Sequence, residues 1–78
     1  MDAALAFGRV LRKLRLEKGL TQEELGLDAE LRRTYISVLE LGNQQPSLTT
    51  ILKVAKALNK PSYYIIELVV IEMQNEKL

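Results

Sequence analysis

Thr21-Gln22-Glu23-Glu24-Leu25-Gly26-Leu27-Asp28-Ala29-Glu30-Leu31-Arg32-Arg33-Thr34-Tyr35-Ile36-Ser37-Val38-Leu39-Glu40-Leu41 is the stretch that decides how this chain folds. Its first four residues have the spacing of a capping box, in which the Thr21 hydroxyl accepts from the Glu24 amide and the Glu24 carboxylate reaches back. A helix therefore opens at Gln22, and Glu23 and Glu24 in its first turn complement the positive end of the helix dipole. Leu25 is its only strong apolar anchor, so the helix is short and a turn is expected within 26–31. A second helix follows from Arg33 to Leu41. Ile36, Leu39 and Glu40 share one of its faces, while Arg33, Thr34, Ser37 and Val38 look the other way.

Outward from this pair, the pattern stays helical on both sides. Phe7, Val10, Leu11, Leu14 and the stem of Lys18 form one stripe upstream, closed by Gly19 and the apolar Leu20. Downstream, Gly42 stops the Arg33 helix and Asn43-Gln44-Gln45-Pro46 is a polar loop. Ser47 is a good N-cap for a helix carrying Leu48, Ile51, Leu52, Ala55 and Leu58, which runs to Asn59 and Pro61. After Pro61, Ser62 can cap a last segment from Tyr63 to Met73. Its β-branched residues also suit a strand, but its length and the lack of a partner strand favour a helix.

Composition narrows the function. The 78 residues fit one domain, and 47% hydrophobic with 27% charged side chains is the make-up of a globular chain. Cysteine and histidine are both absent, which removes disulfides, the common zinc ligands and the commonest general base near neutral pH. An enzyme is thereby disfavoured, no metal or other cofactor is expected, and no small-molecule ligand is evident. No run of residues has the length of a membrane span and no charged start precedes an apolar segment, so the expectation is a cytoplasmic protein with no membrane partner. The net charge is only +1, yet Arg9, Arg12, Lys13, Arg15 and Lys18, then Arg32 and Arg33, and again Lys53, Lys56 and Lys60 make basic zones.

Two short helices joined by a tight turn, the second flanked by arginines and small hydroxyl residues, suit insertion into a DNA major groove about 12 Å wide. The ordered segments Leu14-Arg15-Leu16-Glu17-Lys18-Gly19-Leu20-Thr21-Gln22-Glu23-Glu24-Leu25, Arg33-Thr34-Tyr35-Ile36-Ser37, Leu39-Glu40-Leu41-Gly42 and Pro46-Ser47-Leu48 resemble the XRE family of Cro and phage-repressor-type helix-turn-helix regulators. The Arg-Thr-Tyr-Ile-Ser segment, the size and the apolar tail also resemble restriction-modification controller proteins. The resemblance implies an all-α, five-helix, lambda-repressor-like domain over residues 1–78, with the helix-turn-helix at about 21–41. It implies a homodimer on palindromic double-stranded DNA. Gln22 would bond to a phosphate, and Arg32, Arg33, Thr34, Ser37 and Val38 would face the groove, with Arg33 suited to guanine. Tyr35 would pack or bond near the DNA backbone, and Asn43 and Gln44 lie in a loop that the family often makes basic. Arg15 and Glu40 would form a partly buried salt bridge.

Three departures from the pattern carry expectations of their own. Gly26 stands where alanine is usual and should weaken its helix by about 1 kcal/mol. Glu30 replaces the glycine of the turn and must either accept a left-handed backbone or shift it. The tail at about 62–76 is apolar around most of its circumference, so Tyr63, Tyr64, Ile65, Ile66, Val69, Val70 and Met73 are expected at a dimer interface. The alternative to DNA reading is a protein-interaction module, antitoxin-like or adaptor, that relies on this tail.

Overall fold

The computed structural model describes residues 1–75, and their order is five α-helices with no strand among them. Helix α1 (Ala3–Glu17) starts ahead of the apolar stripe that announces it, because the Asp2 side chain accepts the Leu5 amide at 2.8 Å. That bond satisfies one of the free donors of a first turn. Gly19, at φ +77°, closes α1 and lets the Leu20 amide return to the Arg15 carbonyl at 3.1 Å.

Helix α2 (Gln22–Ala29) has both arms of its capping box, the Glu24 amide donating to Thr21 Oγ1 at 3.0 Å and the Thr21 amide donating to Glu24 Oε1 at 2.9 Å. It runs on through Gly26 to Ala29, and the turn falls at Glu30, within the 26–31 stretch where it is expected. Gly26 is buried, and a Cβ built there would stand 2.6 Å from the Leu31 carbonyl oxygen. The expected weakening of an exposed helix is therefore the wrong account of this glycine, which makes room for the chain as it turns back. Glu30 makes the turn in a left-handed conformation, φ 58° and ψ 43°, and the Leu31 amide reaches the Gly26 carbonyl at 2.8 Å. The chain then enters α3 (Arg33–Glu40) through Arg32, which sits at the cap position without a side-chain cap bond.

Helix α4 (Leu48–Ala57) begins at Ser47, whose hydroxyl accepts the Thr50 amide at 3.1 Å. It ends on Asn59 at φ 58°, and Lys18, just beyond α1, donates from Nζ to the Ala57 carbonyl at 2.9 Å. Helix α5 (Ser62–Asn75) keeps its β-branched residues helical; residue 76, the last of the segment expected from sequence, lies outside the described residues. No helix among those described is long and apolar enough to cross a membrane.

Helix α1 packs across α3 and α5, α2 against α3 and α4, and α4 against α5. Every helix contributes to one core: Leu11 from α1, Leu25 from α2, Ile36 and Leu39 from α3, Val54 from α4 and Ile65 from α5. The tightest approach is at Gly8, where an added Cβ would lie 2.3 Å from the Leu39 carbonyl oxygen and 2.7 Å from that of Glu40. Sequence reading assigned Gly8 no role.

The tail corrects one expectation. Ile65 and Val69 are only 1% and 8% exposed and complete the chain's own core, so they are not part of an outward interface. Four residues apart, they lie on one helical face. Tyr63, Ile66 and Val70 lie outside it, at 78%, 43% and 47% exposure; Tyr64 and Met73 are half-buried.

Candidate nucleic-acid interface

The outward face of α3 carries several hydrogen-bond donors. Arg32, Arg33 and Thr34 are exposed, and Ser37 and Val38 are half-buried one turn further on. The turn at Glu30 brings the start of α2 beside this face, so that Gln22, Arg33, Thr34 and Ser37 line one shallow concavity. A neighbouring one is lined by Arg15, Thr21, Gln22, Glu23 and Arg33. Arg33 belongs to both, standing between the first turn of α2 and the first turn of α3.

Beneath this surface lies a charged node. Arg15 donates from Nε to Glu40 Oε2 at 2.6 Å and from one terminal nitrogen to Glu40 Oε1 at 3.0 Å, a two-point fork. Its other terminal nitrogen donates to the Leu20 carbonyl at 2.8 Å. Both residues are buried, and Glu40 Oε1 also accepts from Gln22 Nε2 at 3.0 Å. One carboxylate at the end of α3 thus holds the end of α1 and the start of α2. The hydrogen bonds to Glu40 hold the Arg15 guanidinium above its ordinary range, burial pulls it down, and the Glu40 charge adds to the rise. Gln22, expected to meet a phosphate, has one amide hydrogen fixed by Glu40, which leaves its carbonyl oxygen and second amide hydrogen toward the concavity.

Tyr35 is set apart from the other residues of α3. It is half-buried, and its hydroxyl lies 3.2 Å from Thr50 Oγ1 at the start of α4. Asn43 and Gln44 are exposed in the α3–α4 loop. The basic zones do not converge on one face: Arg9 pairs with Glu72 at 3.7 Å, and Lys53 and Lys56 line a different groove with Leu27, Asp28, Ala29 and Glu30. No cluster of ligands able to hold a metal ion occurs among the described residues.

Sequence reading missed two features of this site. The bond from Gln22 to Glu40 joins residues on different helices, which local spacing does not reveal. The buried Thr50 hydroxyl was also missed, although Ser47 three residues before it was read as a cap; threonine so close behind a serine cap is the one available hint.

The helix-turn-helix family model HTH_3 matches residues 11–65 of this chain. The control protein C.BamHI of Bacillus amyloliquefaciens is 46% identical over 55 residues, which cover 69% of this chain and 68% of that protein. Among solved structures, the restriction-modification controller protein C.AhdI of Aeromonas hydrophila is similar at 40% identity and a TM-score of 0.77, covering 80% of this chain and 94% of that one. The clp gene regulator ClgR of Corynebacterium glutamicum superimposes with a TM-score of 0.93 at 26% identity, covering 99% of this chain and 82% of the other.

Proposed function

Since the chain belongs to the helix-turn-helix family of DNA-binding transcriptional regulators, which carry out no enzymatic reaction, we propose that it acts as a homodimer that reads a palindromic operator through α3. The observation that carries this reading is the placing of exposed Arg33 and Thr34 beside Gln22 in one concavity, over a buried node that fixes all three supporting helices. Phosphate contacts from Gln22, with Asn43 and Gln44 from the loop, set the register. Arg32, Arg33, Thr34, Ser37 and Val38 then meet base edges, and Tyr35 meets the backbone. Likeness to control proteins of restriction-modification systems supports a controller type of regulator.

Selection from a randomised duplex pool tests the reading. The protein is expected to enrich one inverted-repeat sequence. Arg33→Ala is expected to bind that sequence about tenfold or more weakly and to lose discrimination at one base pair of each half-site, since one bidentate arginine–guanine pair contributes about 1–3 kcal/mol of discrimination. Enrichment of no sequence, or an unchanged preference in Arg33→Ala, would overturn it.

The dimer part of the proposal rests on α5. Tyr63, Ile66 and Val70 are exposed at spacings of three and four, so they form one apolar stripe on a helix whose other face is already used by Ile65 and Val69. A two-fold pair of such helices places two copies of α3 about one DNA turn apart, roughly 34 Å. Light scattering at micromolar concentration is expected to give twice the chain mass, and Ile66→Lys to give the single-chain mass with the helical content unchanged. A wild-type chain that scatters as a monomer would remove the interface.

A further inference from the structure

Helix α5 carries one charge inside its exposed apolar surface. Tyr63, Ile66, Val70 and Ile71 are exposed, and Glu67, equally exposed, stands between the first pair and the second. Residues three or four apart are neighbours on a helix surface, so Tyr63, Val70 and Ile71 border Glu67, and Ile66 directly precedes it. The other described acid of α5 is taken up by the chain itself, since Glu72 pairs with Arg9. Glu67 has no hydrogen bond or ion pair among the described residues. The lysines of the adjoining segment are occupied elsewhere: Lys60 lies over the Tyr64 ring, and Lys53 and Lys56 of α4 line the groove against α2. This carboxylate adds nothing to the core either, because the inward face of α5 is built on Ile65 and Val69.

Two-fold symmetry decides what Glu67 meets. In an isologous contact the same patch faces itself, so residues at its centre lie beside their own copies. Two of the exposed apolar residues come before Glu67 and two after it, which puts the centre of the patch at Glu67. We propose that Glu67 sets the strength and selectivity of self-association: in the pair, the two Glu67 carboxylates face each other across the two-fold axis within an apolar rim. The inference rests on the α5 dimer proposed above and adds to it a residue that opposes that dimer. Like charges drawn together out of water repel, so the pair is weaker than its apolar surface alone would make it. The same geometry selects partners. A chain with an acid at this position is disfavoured, and one with a lysine there is favoured.

The test follows dimer formation by sedimentation. Wild-type chain with a fluorophore at its C-terminus, held at trace concentration, is titrated with unlabelled wild type, Glu67→Gln or Glu67→Lys. Glu67→Lys is expected to bind the labelled chain about tenfold or more tightly than wild type does, with Glu67→Gln between the two. Added salt is expected to weaken the mixed pair and strengthen the wild-type pair, since screening removes an attraction from one and a repulsion from the other. Glu67→Lys alone is expected to self-associate no more tightly than wild type, because its pair is again of like charge. Glu67 is exposed in the single chain, so helical content and melting temperature are expected to stay unchanged in both variants. Equal affinity of the labelled chain for all three would overturn the role of Glu67 while leaving the dimer intact. Failure of every combination to associate would remove the α5 interface itself.

Discussion

Glu40→Ala is expected to bring the chain close to unfolding at room temperature, lowering its stability by about 3–5 kcal/mol. The magnitude follows from what remains behind. With the carboxylate gone, the Arg15 guanidinium stays buried with the Leu20 carbonyl as its remaining partner, and Gln22 loses its acceptor as well. At roughly 0.05–0.15 kcal/mol per residue, a chain of 78 residues has about 4–12 kcal/mol in total, so the loss is a large share of it. Each kcal/mol moves the melting temperature of a domain this small by about 4–8 °C, and calorimetry is expected to show a fall of at least about 12 °C. The paired change Arg15→Met with Glu40→Leu is expected to recover most of it, because an apolar pair of similar size removes both desolvation penalties together. A single mutant that melts like the wild type would show that the node contributes little. The cationic side of this pair gives no pH window in ordinary buffers. Its folded value is raised, so its stabilisation is fully present below the ordinary arginine range and is lost only as pH rises through the folded value.

Gly8→Ala should destabilise, against the general trend for this substitution. Alanine in place of glycine inside a helix ordinarily stabilises by about 1 kcal/mol. Here the added Cβ meets two backbone carbonyl oxygens of α3, at 2.3 and 2.7 Å, and backbone cannot move aside as a flexible side chain can. Overpacking of this kind typically costs about 1–3 kcal/mol, so the sign is reversed, and Gly8→Val should be worse still. Gly19 is the useful contrast. A Cβ there would meet nothing within 4 Å, so a substitution meets only the strain of the left-handed φ of +77°, about 1–2 kcal/mol. Denaturant midpoints are expected to fall in the order wild type, Gly8→Ala, Gly8→Val. A Gly8→Ala chain at least as stable as the wild type would show that α1 and α3 can separate freely.

How much of this was legible in the sequence depended on the range of each interaction. Thr21 and Glu24 satisfy each other three residues apart, so the start of α2 could be read directly. The five-helix, all-α class followed from stripes and stops of the same short range. Gly8 was illegible, because its significance lies in a carbonyl that is thirty-one residues away along the chain and belongs to another helix. Arg15 and Glu40, 25 residues apart, were linked through family likeness, since no local spacing relates them. Gly26 was misread for a related reason: propensity describes an isolated helix, while the residue is buried against the returning chain. In α5 the apolar residues outnumber what one face needs, and only the packing of α1 and α4 decides that Ile65 and Val69 turn inward.

The carboxylate of Glu40 also sets how the protein can move. The last turn of α1, the first residue of α2 and the last turn of α3 all bond to it or to its arginine, and Gly8 brings the α1 backbone against the same end of α3. None of these pieces can swing without breaking a buried charged bond, so α3 has no hinge of its own and travels only as part of the whole body. Any adjustment at a binding surface built on it falls to exposed side chains and to the partner's shape.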